Sequence, residues 1–241
     1  MERPLTASLA ERLKSETQLL HSAAERSQLM GALLRGDLSR AAYAALLRNL
    51  HALYAALEPA LARHRTHPLI APVFLPALWR TEALERDLAV FHGPHWAEAL
   101  ALQPAAAAFV ARIGELESID AGLLLAHAYV RYLGDLSGGQ ILRALVAKSL
   151  PADEAGAVAF YDFGDAAATG RLTQAFRSAL ADAVVDASVA DALVAEARLS
   201  FMLHRQLFEE LWHAAGADDQ ESNSRMRATR APTSRCTARA C

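Results

Sequence analysis

Three glycines and one carboxylate lie close together in a stretch that otherwise favours a helix. Residues 126–142 read AHAYVRYLGDLSGGQIL, with glycines at 134, 138 and 139 and Asp135 directly after the first of them. Each glycine costs about 1 kcal/mol relative to alanine inside a helix. Gly134 and Gly138 are four residues apart and therefore share one face. This pattern indicates either a kink or close helix crossing, or a backbone surface that a flat ligand approaches.

The carboxylate in this stretch has two interpretations. Arg131 precedes Asp135 by one helical turn, so an ordinary ion pair along the helix explains it. Alternatively, Asp135 organises water and delivers protons to chemistry beside the glycines. A carboxylate in an apolar pocket is costly unless ordered water or a cation satisfies it, so both interpretations remain open.

The pentapeptide LSGGQ at residues 136–140 is also the signature of ABC-type ATPases. That function requires a phosphate-binding GxxxxGK[ST] loop and alternating strands. Neither lysine of the chain follows a glycine, and no alternating strand of useful length occurs. An ATPase is therefore excluded.

A second group of polar residues is spaced along one stripe of the first predicted helix. Lys14, Gln18, His21 and Glu25 follow one another at intervals of four, three and four. A lone histidine on a helix is most often structural or simply exposed. Glu25 lies one turn after His21, however, and a carboxylate there fixes the imidazole tautomer as a metal-ligating histidine requires.

The elements that must position these residues are all helical. Apolar residues recur every three or four positions, and alanine and leucine dominate, which favours helices. We predict helices over residues 9–31, 40–57, 79–91, 105–116, 121–150, 166–184 and 188–214, with Ser39 and Asp120 as caps. A single domain is expected over residues 1–215. Residues 216–241 are polar and arginine-rich and are expected to form a disordered tail.

Composition narrows the classes of function. The formal net charge of −3 gives no reason to expect a nucleic-acid partner. No run of 18 apolar residues and no secretory signal occur, so neither a membrane anchor nor export is expected. The only cysteines are Cys236 and Cys241, which excludes a core held by disulfides and favours the cytoplasm.

The stretch at residues 126–142 resembles the distal-helix signature of heme oxygenases at nearly every position. Residues 13–30, LKSETQLLHSAAERSQLM, are similar to the proximal helix of that family, and His21 stands at the position of the family's iron-ligating histidine. Residues 51–61 and 201–211 resemble two further helices, so the resemblance covers about residues 8–214. It implies an all-α, single-domain bundle in which heme b is sandwiched between a proximal and a kinked distal helix.

The resemblance also implies roles for individual residues. His21 would bind the heme iron, and Glu25 would hold its other ring nitrogen. Gly134 and Gly138 would let the distal backbone lie against the porphyrin, while Asp135 and Tyr54 would organise the water beside bound O₂. The residues expected to hold heme are His21, Glu25, Lys14, Tyr129, Arg131, Arg177, Phe201, Gly134 and Gly138.

The chain departs from the family pattern at three positions. Gln18 and Thr173 stand where well-studied relatives have lysines near the heme propionates, which leaves more of that charge to Lys14 and Arg177. His204 stands where those relatives carry an asparagine.

The function that the resemblance implies is oxidative cleavage of heme to biliverdin, iron and carbon monoxide. O₂ and an electron donor, either a reductase or a ferredoxin, are the expected partners. The donor is expected to dock over Arg143 and Lys148, which lie just beyond the glycines, although an ordinary solvated face explains these two residues equally well. One alternative is a carrier or sensor that binds heme without cleaving it, which would keep His21 but need neither Asp135 nor the glycines. The other alternative is a related helical-bundle protein that acts on thiamin or quinone precursors, but such relatives lack the LGDLSGG stretch.

Overall fold

The computed structural model describes the backbone of residues 7–229 and the side chains of residues 7–216. Nine α-helices and no strands form within this range. The helices are α1 (Leu9–Glu25), α2 (Gln28–Arg35), α3 (Arg40–Arg63), α4 (Thr81–His92), α5 (Trp96–Ala99), α6 (Pro104–Ile119), α7 (Leu124–Ser149), α8 (Ala166–Asp182) and α9 (Ala187–Thr229). The predicted all-α class is confirmed.

Serine side chains start the first three helices. Ser8 accepts a hydrogen bond from the backbone of Glu11, whose carboxylate accepts from the Ser8 backbone in return. Ser27 at the start of α2 and Ser39 at the start of α3 each accept one hydrogen bond from the backbone three residues later, without a return bond. Because Ser27 begins a new helix, the single helix predicted over residues 9–31 is wrong, and the chain bends between α1 and α2.

Two other predicted boundaries differ from the structure. Asp120 caps a short 3-10 turn, Ala121–Leu123, and α7 begins after it. The last helix does not end at Ala214 but continues to Thr229, because each residue added to an existing helix gains a hydrogen bond without a new nucleation cost. The distal helix runs from Leu124 to Ser149 without interruption at its glycines. Residues 230–241 lie outside the described range, and for them the predicted disorder stays a prediction.

The long helix α9 is the centre of the packing. It contacts α1, α2, α6 and α7, while α3 packs against α4, α6 and α7. The helices α1 and α7 are not a closely packed pair but both rest on α9 and α8. One face of α1 and one face of α7 are therefore available to a ligand that lies between these two helices.

A buried ion pair fastens α9 to α6 and α7. Glu196 accepts hydrogen bonds from Arg112 at 2.7 Å and from Nε2 of His127 at 2.7 Å. Burial disfavours the charged carboxylate, but these two partners outweigh it and lower the pKa of Glu196 to about 2. The contact keeps α7 in register on α9 next to the glycine stretch.

The segment after α7 is held by two buried charges from the region of α4. The carboxylate of Asp87 accepts from the backbone of Ala159 and Phe160. The guanidinium of Arg80 donates to the carbonyl of Asp162 at 2.7 Å and lies 3.9 Å from the centre of the Phe163 ring. These contacts hold residues 157–163 in packing contact with α7.

Within the described residues, no single helix is long and apolar enough to span a membrane; only a bent combination of Pro76–Ala99 with Pro104–Ile119 passes by length and composition.

Candidate functional site

One exposed stripe of α1 carries the polar residues that the sequence spacing placed together. Lys14, Gln18, His21 and Glu25 are all exposed, whereas Leu13, Thr17 and Ala24, on the stripe one residue earlier and about 100° around the helix, are buried. The helical period alone produces this separation, because positions three and four apart share a face.

His21 combines a carboxylate partner with an aromatic support. Its Nδ1 lies 3.4 Å from Oε2 of Glu25, and its side chain is 48% exposed. The edge of Phe201, a buried residue of α9, meets the imidazole at a centroid distance of 5.7 Å. With Nδ1 directed to Glu25, the Nε2 nitrogen remains as the ligand atom for a metal.

The polar residues beside His21 come from three helices. Tyr129 of α7 lies near Thr17 of α1 and Arg177 of α8, and both of them act to lower the pKa of its phenol. Burial raises the pKa of Tyr129, which keeps its phenol protonated as a hydrogen-bond donor. Neither Lys14 nor Arg177 has an ion-pair partner within residues 7–216. Both cations can therefore receive an anionic ligand.

Two of the three glycines of α7 face open space. A Cβ atom at Gly134 would meet no atom within 4 Å, and one at Gly138 would meet only Leu142, at 3.9 Å. The predicted shared face of these residues is thus a stretch of helix backbone with no side chain above it. Such a surface suits a flat ligand that lies against the helix.

The third glycine has a different role. A Cβ at Gly139 would lie 3.7 Å from the backbone oxygen and 3.8 Å from the ring of Tyr161. Gly139 faces residues 157–163, which Arg80 and Asp87 hold in place. Sequence spacing did not separate this packing glycine from the other two, since only the tertiary structure shows what lies above each.

Asp135 belongs to a buried network of three side chains. Arg131 donates from Nη2 to Oδ1 of Asp135 at 2.6 Å, and the hydroxyl of Tyr54 donates to Oδ2. Arg131 also donates from Nε to the Tyr54 oxygen at 3.2 Å. The ion pair that the sequence offered as the plain interpretation is therefore present. The family resemblance predicted that Arg131 helps to hold heme. In the structure, two of its three guanidinium nitrogens donate hydrogen bonds to Tyr54 and Asp135.

Burial sets the protonation behaviour of the network. It raises the pKa of Asp135, although the charge of Arg131 and the hydrogen bond of Tyr54 act in the opposite direction. It also raises the pKa of Tyr54 well above its usual value. Asp135 is only 9% exposed and directly follows the open backbone of Gly134. A carboxyl group with a raised pKa thus sits beside a ligand-sized surface, where it can hold or release a proton.

Several contacts around the site could not be predicted from the sequence. The pairing of His127 with Glu196 and the clamping of residues 157–163 by Arg80 and Asp87 both join residues far apart in the chain. In the sequence, each of these contacts is indicated only by a charged or polar residue at a position where the helix pattern is apolar. Such residues are too common for the sequence to say which partner each one meets. Arg143, predicted to receive an electron donor, pairs with Asp162 at 3.0 Å.

The chain is similar to heme oxygenases throughout the region that carries this site. A family model described as heme oxygenase matches residues 7–210. Heme oxygenase 1 of Homo sapiens is 36% identical over 229 residues, covering 92% of this chain and 80% of the human protein. Heme oxygenase 1 of Nostoc sp. is 33% identical over 207 residues, covering 86% and 87%. A crystal structure of heme oxygenase-2 from Synechocystis sp. in complex with heme and NO superposes with a TM-score of 0.82 at 33% identity, covering 88% of both chains.

Proposed function

Because this chain belongs to the heme oxygenase family, we propose that it binds heme between α1 and the glycine face of α7 and cleaves it to biliverdin, iron and carbon monoxide. O₂ and electrons from a reductase or ferredoxin are the co-reactants. The observation that carries this proposal is the adjacency of an open helix backbone at Gly134 to the buried carboxylate of Asp135. A heme carrier has no need of that carboxylate.

The residues of the chain fit heme on both faces. On α1, His21 offers Nε2 to the iron while Glu25 receives the proton of Nδ1. On α7, Gly134 and Gly138 leave room for a macrocycle against the backbone. Lys14, Tyr129 and Arg177 supply the donors for two propionates, and Gln18 and Thr173 add no charge to them. Bound heme supplies the iron centre for oxygen chemistry and is itself the macrocycle that is cleaved.

The chain contributes orientation and proton handling. Phe201 contacts the His21 ring from the α9 side and would limit the rotation of the imidazole when it holds iron. The Asp135 carboxyl, held by Arg131 and Tyr54, would hold and release protons through water at the open backbone of Gly134.

A spectroscopic assay tests this function against the carrier alternative. Purified protein receives hemin and then ascorbate in air, and absorption spectra are recorded over time. An oxygenase converts the heme band to the spectrum of biliverdin. A carrier or sensor reduces or holds the heme without loss of the band, and that result would contradict the proposal.

Arg177 is expected to determine which meso carbon is attacked. Its guanidinium can hold a propionate by two parallel hydrogen bonds and so select one orientation of heme, with the alpha position favoured. Removing such a charged contact costs about 1.4 kcal/mol or more, which shifts the ratio of orientations about tenfold. We expect Arg177→Ala to produce a mixture of biliverdin isomers on chromatography.

The matched control is Arg171→Ala, an exposed arginine on the same helix but on another face. It should give the single isomer of the parent protein. A single, unchanged isomer from Arg177→Ala would remove Arg177 from this role.

Lys148 is the better of two predicted contacts for an electron donor. Arg143 and Lys148 lie in the C-terminal part of α7, and Arg143 is partly neutralised by Asp162. Lys148→Glu should raise the Michaelis constant for an acidic ferredoxin or reductase about threefold to tenfold at low salt, because charge complementarity speeds encounter. Turnover driven by ascorbate should not change. Equal losses in both assays would instead indicate damage to folding or heme binding.

A further inference from the structure

A groove of about 340 Å³ opens on the surface where the junction of α1 and α2 meets α9. Its walls include Ala23 and Arg26 at the end of α1, Ser27 at the start of α2, and Phe208 and Trp212 of α9. The chain bends at Ser27, and the groove lies at this bend. Cavities that hold small ligands measure about 300–1,000 Å³, so a small molecule fits here.

The groove is separate from the proposed heme site. Ala23 and Arg26 follow His21 by two and five residues, which places them about 200° and 140° around α1 from the imidazole. Among the described residues, none of those proposed to hold heme lines the groove. Whatever binds in it is therefore a second ligand, distinct from the heme.

The lining carries one positive charge without a counter-charge. The Nε nitrogen of Arg26 donates to the backbone oxygen of Ser22 at 3.1 Å, whereas its two terminal nitrogens have no partner within residues 7–216. Arg205, also on the lining, donates from Nε to Glu209 at 3.0 Å, and its terminal nitrogens are likewise without a partner in that range. Glu209 balances one of the two guanidinium groups. A ligand with a single negative charge would balance the other.

The remainder of the lining is largely apolar and aromatic. Phe208 is 8% exposed, Trp212 is partly buried against the core, and Ala23 adds a methyl group. Aromatic side chains bind flat rings in offset-stacked or edge-to-face contact. A guanidinium presents two parallel donors, which match the two oxygens of a carboxylate. The lining thus suits a molecule that joins an aromatic ring to one carboxylate.

We propose that this groove is a binding site for a small aromatic monocarboxylate. The carboxylate receives hydrogen bonds from the terminal nitrogens of Arg26, and the ring lies against Trp212 and Phe208. The start of α2 at Ser27 adds the positive end of a helix dipole to the site. Inorganic phosphate fits less well, since it has no ring and carries more negative charge than the lining can balance. The proposal does not depend on the cleavage of heme.

Nuclear magnetic resonance of the heme-free protein can locate the ligand. With ¹⁵N-labelled tryptophan, Trp79, Trp96 and Trp212 each give one indole N–H signal. On titration with 1-naphthoate, the Trp212 signal should move to saturation with a dissociation constant of about 1 mM or lower, while the other two signals stay in place. No movement of the Trp212 signal, or equal movement of all three, would overturn the proposal.

Two matched compounds test the charge and the ring separately. 1-Naphthamide has the same ring without the charge, and inorganic phosphate has charge without a ring. Both should bind at least about tenfold more weakly than 1-naphthoate in calorimetric titrations, because one loses the charged hydrogen bonds and the other loses the aromatic contact. An amide that binds as tightly as the acid would contradict the role of the unbalanced guanidinium.

Variants assign the binding to the groove. Arg26→Gln should weaken 1-naphthoate at least about tenfold, and Trp212→Leu should weaken it about threefold or more. The matched control is Lys14→Gln, which removes a cation of the same helix from the proposed heme site and should bind as the parent does. Arg26 is exposed, so the Trp79 and Trp96 signals of Arg26→Gln should report an intact fold. Parent affinity in Arg26→Gln, or a loss in Lys14→Gln instead, would place the ligand elsewhere and refute the proposal.

Discussion

Replacing His21 by alanine is expected to abolish heme turnover, with a loss of at least about 100-fold. Even residues that only support a metal ligand cost about 10–100-fold when removed, and His21 is proposed as the ligand itself. Its geometry supports this assignment, since Glu25 faces Nδ1 at 3.4 Å and Phe201 contacts the ring edge. The measurement is single-turnover conversion of hemin, with the absorption spectrum of the bound heme recorded beforehand.

The fold should survive the His21 substitution. The imidazole is half-exposed, and surface substitutions of this kind change the free energy of unfolding by about 0.5 kcal/mol or less. Added imidazole should enter the space left by the side chain and partly restore the heme spectrum. This recovery would show that the loss concerns the ligand and not the protein.

His95 provides a matched control for His21. It is an exposed histidine whose Nδ1 lies 3.7 Å from Glu98, so it repeats the pairing of imidazole and carboxylate without the α7 glycines or an aromatic support. His95→Ala should keep full activity. If His21→Ala also turned over heme at the parent rate, the iron ligand would have to be sought elsewhere.

Replacing Asp135 by asparagine is expected to lower the rate of ring opening about 100-fold without weakening heme binding. Proton transfer by a positioned side chain contributes about 10²–10⁴-fold to a rate. Asparagine keeps one acceptor oxygen, so it can receive Arg131 or Tyr54 but not both, and its amide cannot act as a proton donor or acceptor for the reaction. The heme-holding donors Lys14, Tyr129 and Arg177 are not changed by the substitution, so the dissociation constant for heme should stay the same.

The structure adds a stability effect to this prediction. Arg131 and Asp135 form a buried pair at 2.6 Å, and removing one partner of a buried pair costs about 3–5 kcal/mol. The sequence alone set the ion pair and the catalytic role against each other. In the folded protein the two are compatible, because the same carboxylate that pairs with Arg131 lies next to the open backbone of Gly134.

A second buried ion pair separates the two effects of the Asp135 substitution. Glu196→Gln weakens the contact with Arg112 and His127, where Glu196 is as buried as Asp135 but joins α9 to α6 and α7. Both variants should lose stability in urea, whereas only Asp135→Asn should lose rate per heme-loaded molecule. Equal rates in the two variants at a temperature where both are folded would assign Asp135 a structural role alone.

Features that depend on the helical period were readable from the amino-acid sequence. The stripe of Lys14, His21 and Glu25 and the shared face of Gly134 and Gly138 are consequences of local backbone geometry, so spacing predicts them directly. The heme oxygenase resemblance could be stated for the same reason, since its motifs are continuous stretches of one helix each. The break at Ser27 was missed because a serine before an apolar run also occurs inside longer helices.

Contacts between distant parts of the chain required the tertiary structure. Tyr54 and Asp135 are separated by 81 positions, and only the packing of α3 on α7 brings the hydroxyl to the carboxylate. The packing of Phe201 on His21 and the groove between Arg26 and Trp212 likewise depend on where α9 lies. Helix periodicity determines which residues share a face, but the face that each helix meets is decided by packing of many weak apolar contacts over the whole chain.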